Sequence, residues 1–399
     1  MKRILMIAPS SYPVTSAECI VNIKLLQAMS RNGQFDIELV SKDLHWHDYP
    51  SDSLEKLGVR VRSCHVVSVD NRISIRAVWQ HFLCLIRFGI VFKGTHWNAA
   101  AFPIVRQLVR ENKYDFVLTK NESSFLLGYW LKKRTGLKWV ATWNDPYPKS
   151  LYPDAYLKYW NIKPHRVDGR VIDIMRRYAD VHIFPNSRLR DYMIGKIKAD
   201  AAAAVVVPHV VLSSSVPLRT NTGILRIIHS GNINYPRDPE LFLTALKRLI
   251  DTIPDARIEF SILGVTGNDL SEKIKRHGLE KYVRTIPPVS YGDSIAMLAD
   301  YDVALIVEAD CQEGIFLPTK VSDFMQSGIP IFAVSPAIGV MNDLYSGGSI
   351  PYFALNTDTD DIFRALKKLY DDYQNGSISS NSIPEQFTEE SVINQYMSF

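Results

Sequence analysis

No window of about 20 uncharged apolar residues, the length a helix needs to span a bilayer, occurs in the 399-residue chain. The nearest approach, 78–92, is too short and contains His81 and Arg87. Cysteine is scarce: Cys19, Cys64, Cys84 and Cys311 are scattered, with no C-x-x-C pair. That argues against a disulfide framework and a thiolate zinc site, and it reads as reduced thiols in a reducing, cytoplasmic compartment. No charge dominates, because 46 Lys and Arg against 42 Asp and Glu leave a net +4. No stripe of cations interleaved with aromatics appears, so nucleic acid is not expected as a partner. The mild excess still suits phosphate-bearing substrates or an anionic membrane surface. The first residues, Met1-Lys2-Arg3-Ile4-Leu5-Met6-Ile7-Ala8-Pro9, form an apolar run too short for a secretory leader and read as a buried strand. No G-x-G-x-x-G follows that strand, which disfavours a dinucleotide-dependent oxidoreductase.

What is present is a globular composition, 46% hydrophobic and 22% charged, at a length that calls for two or three domains. Short apolar runs alternate with longer helical patterns, the signature of α/β architecture with parallel sheets. Strands are predicted at 4–8, 37–40, 116–119, 139–142, 181–184 and 205–207. Between the first two lies a helix whose apolar face is Ile20, Ile23, Leu26 and Met29; Thr15 and Glu18 have capping-box spacing, and Gly33 stops it. A polar, turn-rich stretch at 209–223 reads as the linker. The pattern then restarts, with strands at 225–229, 258–263, 283–286, 303–307 and 331–334. A polar segment, 374–384, precedes a short final helix. The predicted organisation is therefore a first domain over 1–210, a second over 224–380 and a C-terminal helix over 385–399. Two doubly wound units bind ligands outside the carboxyl ends of their strands, and a cleft between two facing units is the default site.

The segment with most chemical content is Glu313-Gly314-Ile315-Phe316-Leu317-Pro318-Thr319-Lys320-Val321-Ser322-Asp323, closed by Gly328 and Pro330. A loop entering a short helix after a buried strand suits an anion, and Lys320 and Asp323, three apart, share one face of the first turn. Lys320 can meet a phosphate as a point charge and Asp323 can accept from a ribose diol. The alternative is an ordinary surface Lys/Asp pair.

Here the chain resembles the family 4 retaining glycosyltransferases, whose donor motif pairs E-G-x-x-L-P with P-x-K-x-x-E; this chain has Asp323 in place of the glutamate. The resemblance continues through Ile227-Ile228-His229-Ser230-Gly231-Asn232, followed by Arg237. It also includes the first-domain ending Ala179-Asp180-Val181 … Asn186-Ser187 with Val205-Val206-Val207-Pro208-His209. It covers most of the chain, densest over 225–334 and looser over 1–210. It implies the GT-B fold, with two Rossmann-like domains facing a cleft and the last helix crossing back onto the first domain. It also implies a nucleotide diphosphate-sugar bound mainly by the second domain. The implied donor site is Gly231, Asn232, Glu313, Gly314, the Ile315, Phe316 and Leu317 amides, Lys320 and Asp323, with Arg237 and Lys320 carrying the positive charge. Gly231 would admit close backbone approach. The implied reaction needs no metal and no other cofactor, retains anomeric configuration and builds cell-surface polysaccharide on a glycan or lipid-linked acceptor.

Acceptor candidates fall in the first half. Ser10-Ser11-Tyr12-Pro13-Val14-Thr15-Ser16 follows the first strand, and Ser11 and Thr15 could approach a phosphate or sugar. Trp143, Asn144 and Asp145 end another strand beside further aromatics, with Asp145 the candidate polar group at the reacting centre and Trp143 a stacking face. Asn144-Asp145-Pro146 also reads as a plain turn. Lys120, Asn121 and Glu122 are secondary candidates. Two other readings stay open: a non-catalytic glycosyltransferase-like partner subunit, and another GT-B enzyme such as a nucleotide-sugar epimerase. Finally, 72–93 is aromatic, apolar and flanked by Arg72, Arg76 and Lys93. It is either a buried helix with outward arginines or an interfacial helix docking peripherally on the inner face of the membrane.

Overall fold

A computed structural model of the chain describes residues 1–14, 16–43, 51–69, 75–91, 95–120, 124–214, 222–233, 235–265 and 268–399. It divides into two compact units: Met1–Tyr152 with Ile162–Val210 and Gln386–Phe399, and Pro153–Asn161 with Val211–Glu385. The strands of the first unit are β1 (Lys2–Ile7), β2 (Phe35–Lys42), β3 (Ser63–Val67), β4 (Phe116–Lys120), β5 (Lys138–Thr142), β6 (Val181–Phe184) and β7 (Ala204–Val206). Its helices are α1 (Ala17–Asn32), α2 (Ile75–Phe88), α3 (Thr95–Glu111) and α4 (Phe125–Thr135). The second unit takes α5 (Asp154–Trp160), whereas α6 (Asp168–Tyr178) and α7 (Ser187–Ile197) return to the first. The second unit continues with β8 (Leu225–Ser230), α8 (Glu240–Thr252), β9 (Ile258–Leu263), α9 (Asn268–Arg276), β10 (Val283–Ile286), α10 (Tyr291–Met297), β11 (Val303–Val307), α11 (Lys320–Gln326), β12 (Ile331–Ser335), α12 (Val340–Ser346), β13 (Tyr352–Leu355) and α13 (Thr359–Gln374). The closing helix is α14 (Glu389–Ser398).

Both sheets are parallel. Their orders are β3-β2-β1-β4-β5-β6-β7 and β10-β9-β8-β11-β12-β13. The central strands read as continuous apolar runs because helices cover both faces, as in Val303–Val307, every residue of which is buried. In each sheet the strand order reverses between the first strand and its later neighbour, β1/β4 and β8/β11. Backbone groups at the carboxyl ends of those pairs are left without a covering crossover helix, which makes two crevices.

In the first unit α14 packs on α1; Arg31 pairs with Glu389 at 2.6 Å, and the Phe399 ring meets Phe116 edge-on at 6.3 Å. In the second, α8 and α13 seal one face of the sheet with Leu243, Leu246, Leu366 and Leu369.

Several sequence expectations are corrected. The edge strands β3, which carries Ser63 and His65, and β13, a four-residue apolar run, were not predicted. Residues 153–161, expected in the first domain, sit in the second unit, where the Tyr156 ring packs on Phe316 at 5.0 Å. The cap of α1 is Ser16, whose hydroxyl accepts from the Cys19 amide, and Thr15 lies outside the described residues. The Glu18 carboxylate is engaged by Asn22 and Asn144.

Gly128 on α4 packs directly on the Trp139 indole, which donates to Thr119 at 2.8 Å; a Cβ at Gly128 would lie 2.3 Å from the ring nitrogen. Gly128→Ala should therefore destabilise the first unit by about 1–3 kcal/mol, the range for overpacking. Denaturant unfolding checks this, and unchanged stability would show that the indole can move aside.

Candidate functional site

The second unit's crevice is built at the ends of β8 and β11. After β8 the chain turns at Gly231, whose φ is +107°, and a Cβ there would sit 3.3 Å from the Lys320 Nζ. Only glycine lets the backbone run this close to the ammonium. Lys320 opens α11 and reaches back under that turn to His229 at the end of β8, where Nζ lies 3.0 Å from Nε2. The other ring nitrogen, Nδ1, is 3.1 Å from the Leu305 carbonyl. A carbonyl only accepts, so Nδ1 carries the hydrogen and Nε2 accepts from the ammonium. That tautomer needs a neutral ring, and burial, followed by the charge of Lys320, holds the His229 pKa well below its ordinary value.

Lys320 itself is brought down to about 7, chiefly by desolvation and then by the Arg237 charge, against the opposing pull of Glu308 and Asp323. Arg237 lies 3.7 Å from Glu308, which is buried at the end of β11. Burial raises the Glu308 pKa, while Arg237 and Lys320 oppose it. Burial and then the Glu308 charge raise the Tyr156 pKa, and the nearby Arg237 opposes them. Asp323 is buried and accepts from the Tyr291 hydroxyl at 2.9 Å; desolvation and then the Asp323 charge push the Tyr291 pKa well up.

The expected donor residues therefore divide. Gly231, Lys320 and Arg237 gather at the crevice with Asp323 beside them. Asn232 is exposed, and its carbonyl oxygen accepts from the Val265 amide at 3.2 Å, so it braces the neighbouring loop. Gly314 exchanges backbone hydrogen bonds with Ile338 and Val340, both at 2.8 Å, tying the 313–318 loop to the entry of α12. The side chains of Ile315, Phe316 and Leu317 are buried, and Glu313 is half-buried. Sequence reasoning missed His229, Tyr156, Tyr291 and Glu308 as site residues. Glu308 carried one usable signal, a carboxylate placed directly after five buried apolar residues.

The first unit carries a second polar cluster at the matching ends of β1, β4 and β5. The Glu18 carboxylate accepts from Asn144 at 2.6 Å and from Asn22 at 3.4 Å, and its charge acts on Lys120. Lys120, buried at the end of β4, is brought down to about 8 by desolvation. His209 is buried with neither ring nitrogen hydrogen-bonded among the described residues; desolvation, then Lys120 and Lys24, push its pKa down to about 3. Ser11 is fully buried and Asp145 is exposed. Asn121 and Glu122 lie outside the described residues. Trp143 is corrected: it is buried against Phe125 and Phe184 and donates to His182 at 3.1 Å, so it is a core residue and offers no face to a sugar. Among the described residues no group of three or more His, Cys, Asp or Glu side chains could hold a metal ion.

Residues 51–211 match the family model described as Glycosyltransferase Family 4. That match covers most of the first unit, where the motif resemblance was looser. Among solved structures, the chain is similar to Anabaena HepE in complex with UDP-glucose, at 14% identity and a TM-score of 0.67, covering 100% of this chain and 99% of that one. It is also similar to sucrose-phosphate synthase from Thermosynechococcus elongatus, at 12% and 0.66, covering 100% and 98%. A third is the lipopolysaccharide outer core galactosyltransferase WaaB in its apo form, at 15% and 0.60, covering 99% and 98%. No curated protein matches the chain in sequence. At such identities the likeness shows the fold, two Rossmann-like domains of the GT-B type, and with the family match it bears out the resemblance read from the motifs.

The crevice geometry carries a pH dependence. With a pKa of about 7, Lys320 loses its proton as pH rises above neutrality, and a bound polyanion favours the charged form. Binding of UDP, whose own phosphates are already ionised near pH 8, should thus take up protons there and weaken as pH rises further. Calorimetry in buffers of differing ionisation enthalpy reads this directly; no uptake at pH 8 would contradict a partly neutral Lys320.

Proposed function

Starting from a GT-B chain that carries the Glycosyltransferase Family 4 match over residues 51–211, we propose that it moves a sugar from a nucleoside diphosphate-sugar to a glycan or lipid-linked acceptor, in the cytoplasm, for cell-surface polysaccharide. The observation that carries the reading is the crevice at β8/β11, where Lys320 and Arg237 lie within electrostatic reach of one another beside the Gly231 turn. A desolvated ammonium and a partly exposed guanidinium beside a glycine turn form a receptor for a diphosphate. The ligand of the Anabaena structure, UDP-glucose, suggests a uridine nucleotide as the first donor to test. Four free thiols fit a reducing compartment.

In the proposed reaction the bond between the anomeric carbon and the diphosphate oxygen breaks, and an acceptor oxygen bonds that carbon on the same face. The acceptor proton passes to the leaving diphosphate, so the protein supplies no nucleophile and no cofactor. Its contribution is to hold charge where charge develops: Lys320 and Arg237 meet the departing diphosphate, and His229 keeps the Lys320 ammonium aimed. Asp323 recognises the ribose, with Tyr291 fixing its carboxylate. Asp145, together with Glu18 and Asn144 from the first unit's cluster, serves the acceptor.

Lys320→Ala should weaken UDP binding by about 1.5–3 kcal/mol, the range for hydrogen bonds to charged groups. Calorimetry on a variant with an unchanged melting transition tests this, and equal affinity would remove the phosphate assignment. Asp323→Asn, which keeps an acceptor oxygen, should retain more UDP affinity than Asp323→Ala. The reverse order would take the ribose contact away from Asp323.

A further inference from the structure

Helix α2 carries an apolar stripe on its outer side. Ile75 is 92% exposed, Val78 65%, Trp79 58%, Phe82 50%, Leu85 52% and Ile86 66%. At 3.6 residues per turn these six positions fall within about 120° of the helix circumference. Cys84 and Phe88, which are 0% and 2% exposed, lie on the opposite side, where the helix packs against α3 and α4. The Trp79 and Phe82 rings meet at a tilt, with centroids 5.5 Å apart, along the stripe. The buried-helix alternative raised by the sequence therefore does not hold for these residues: the large apolar side chains point away from the first unit's core. Contiguous apolar surface of this kind marks a binding surface.

Charge identifies the occupant. Residues 71–110 contain no Asp and no Glu, while Arg72, Arg76, Arg87, Lys93, Arg106 and Arg110 all fall within them. At the chain's overall frequency of 42 acidic residues in 399, forty residues would hold about four. A second copy docking through a two-fold axis would set this segment against itself, cation facing cation with no carboxylate to pair. An anionic lipid surface satisfies both features, since it accepts the apolar stripe below its headgroups and the cations among them. At 14 residues α2 cannot span such a bilayer, and no helix among the described residues is long and apolar enough to do so.

We propose that the outer face of α2 docks the protein on an anionic membrane, with Trp79, Phe82 and Ile86 entering the headgroup boundary and the helix lying in the plane of the surface. This docking is independent of which nucleotide the second unit binds.

The test is co-sedimentation with vesicles of equal parts phosphatidylglycerol and phosphatidylcholine, compared with phosphatidylcholine alone, at low and high salt. Wild-type protein should partition onto the anionic vesicles. Partition should fall on the order of tenfold with the neutral lipid, or with the triple variant Trp79→Ser, Phe82→Ser, Ile86→Ser, because both apolar burial and lipid charge contribute. High salt should also weaken it, as charges beyond the shortened Debye length are screened. The three side chains are exposed, so the variant should keep the wild-type melting transition, which confirms folding without reference to any ligand. A second variant, Arg106→Gln with Arg110→Gln, should lower partition onto anionic vesicles and leave the weak binding to neutral ones unchanged. Three outcomes would overturn the proposal: no sedimentation of folded wild-type protein with anionic vesicles, a triple variant that binds as the wild type does, or sedimentation velocity showing a wild-type dimer that the triple variant abolishes.

Discussion

A desolvated ammonium beside a second cation is unfavourable unless an anion joins them. Lys320 is in that position next to Arg237, whose side chain is 37% exposed, and the buried Glu308 offsets part of the charge. Burial weakens the screening that water would give and magnifies any interaction with a polyanion. Charge removed from solvent in the free protein is thereby kept ready for a diphosphate, at the expense of a Lys320 that binds its proton weakly.

Each part of the second unit that surrounds this pair can be read as its support. The parallel order with its reversal at β8/β11 opens the crevice. Glycine at 231 removes the side chain that would crowd Nζ, and the neutral His229, with Nδ1 directed to Leu305, offers the ammonium a lone pair. Helix α5, drawn from an earlier stretch of the chain, brings Tyr156 to Arg237 and Phe316. Gly314, bridged to the 338–340 segment, holds the 313–318 loop in place ahead of Lys320. The first unit repeats the geometry with different chemistry. Its β1/β4 crevice centres on a carboxylate, Glu18, supported by amides and the buried Lys120.

The central strands were legible because parallel strands buried on both faces must be apolar throughout, and such runs stand out. The Lys320, Asp323 and Gly231 positions were legible because a turn, a helix start and a close backbone approach each restrict residue type. The rest depends on tertiary placement. Edge strand β3 carries Ser63 and His65 and shows no continuous run, whereas β13 has a run too short for pattern alone to tell from a helix segment. Trp143 looked like a sugar platform because an aromatic beside Asn and Asp is ambiguous until the fold shows which way the ring turns, and it turns inward. Glu18 looked like half of a capping box because three-residue spacing serves that role, yet Ser16 caps the helix and Asn144, remote in sequence, engages the carboxylate. His229 read as the last residue of a strand; its role appears only when Lys320 arrives from residues far along the chain.

The central claim is that a nucleoside diphosphate is held by the cations of the β8/β11 crevice. A crystal structure of the protein with UDP tests it most directly. The account predicts diphosphate oxygens within hydrogen-bonding distance of Lys320 Nζ and the Arg237 guanidinium, over the Gly231 turn, with the ribose beside Asp323. A UDP molecule bound with its diphosphate away from both cations would contradict it.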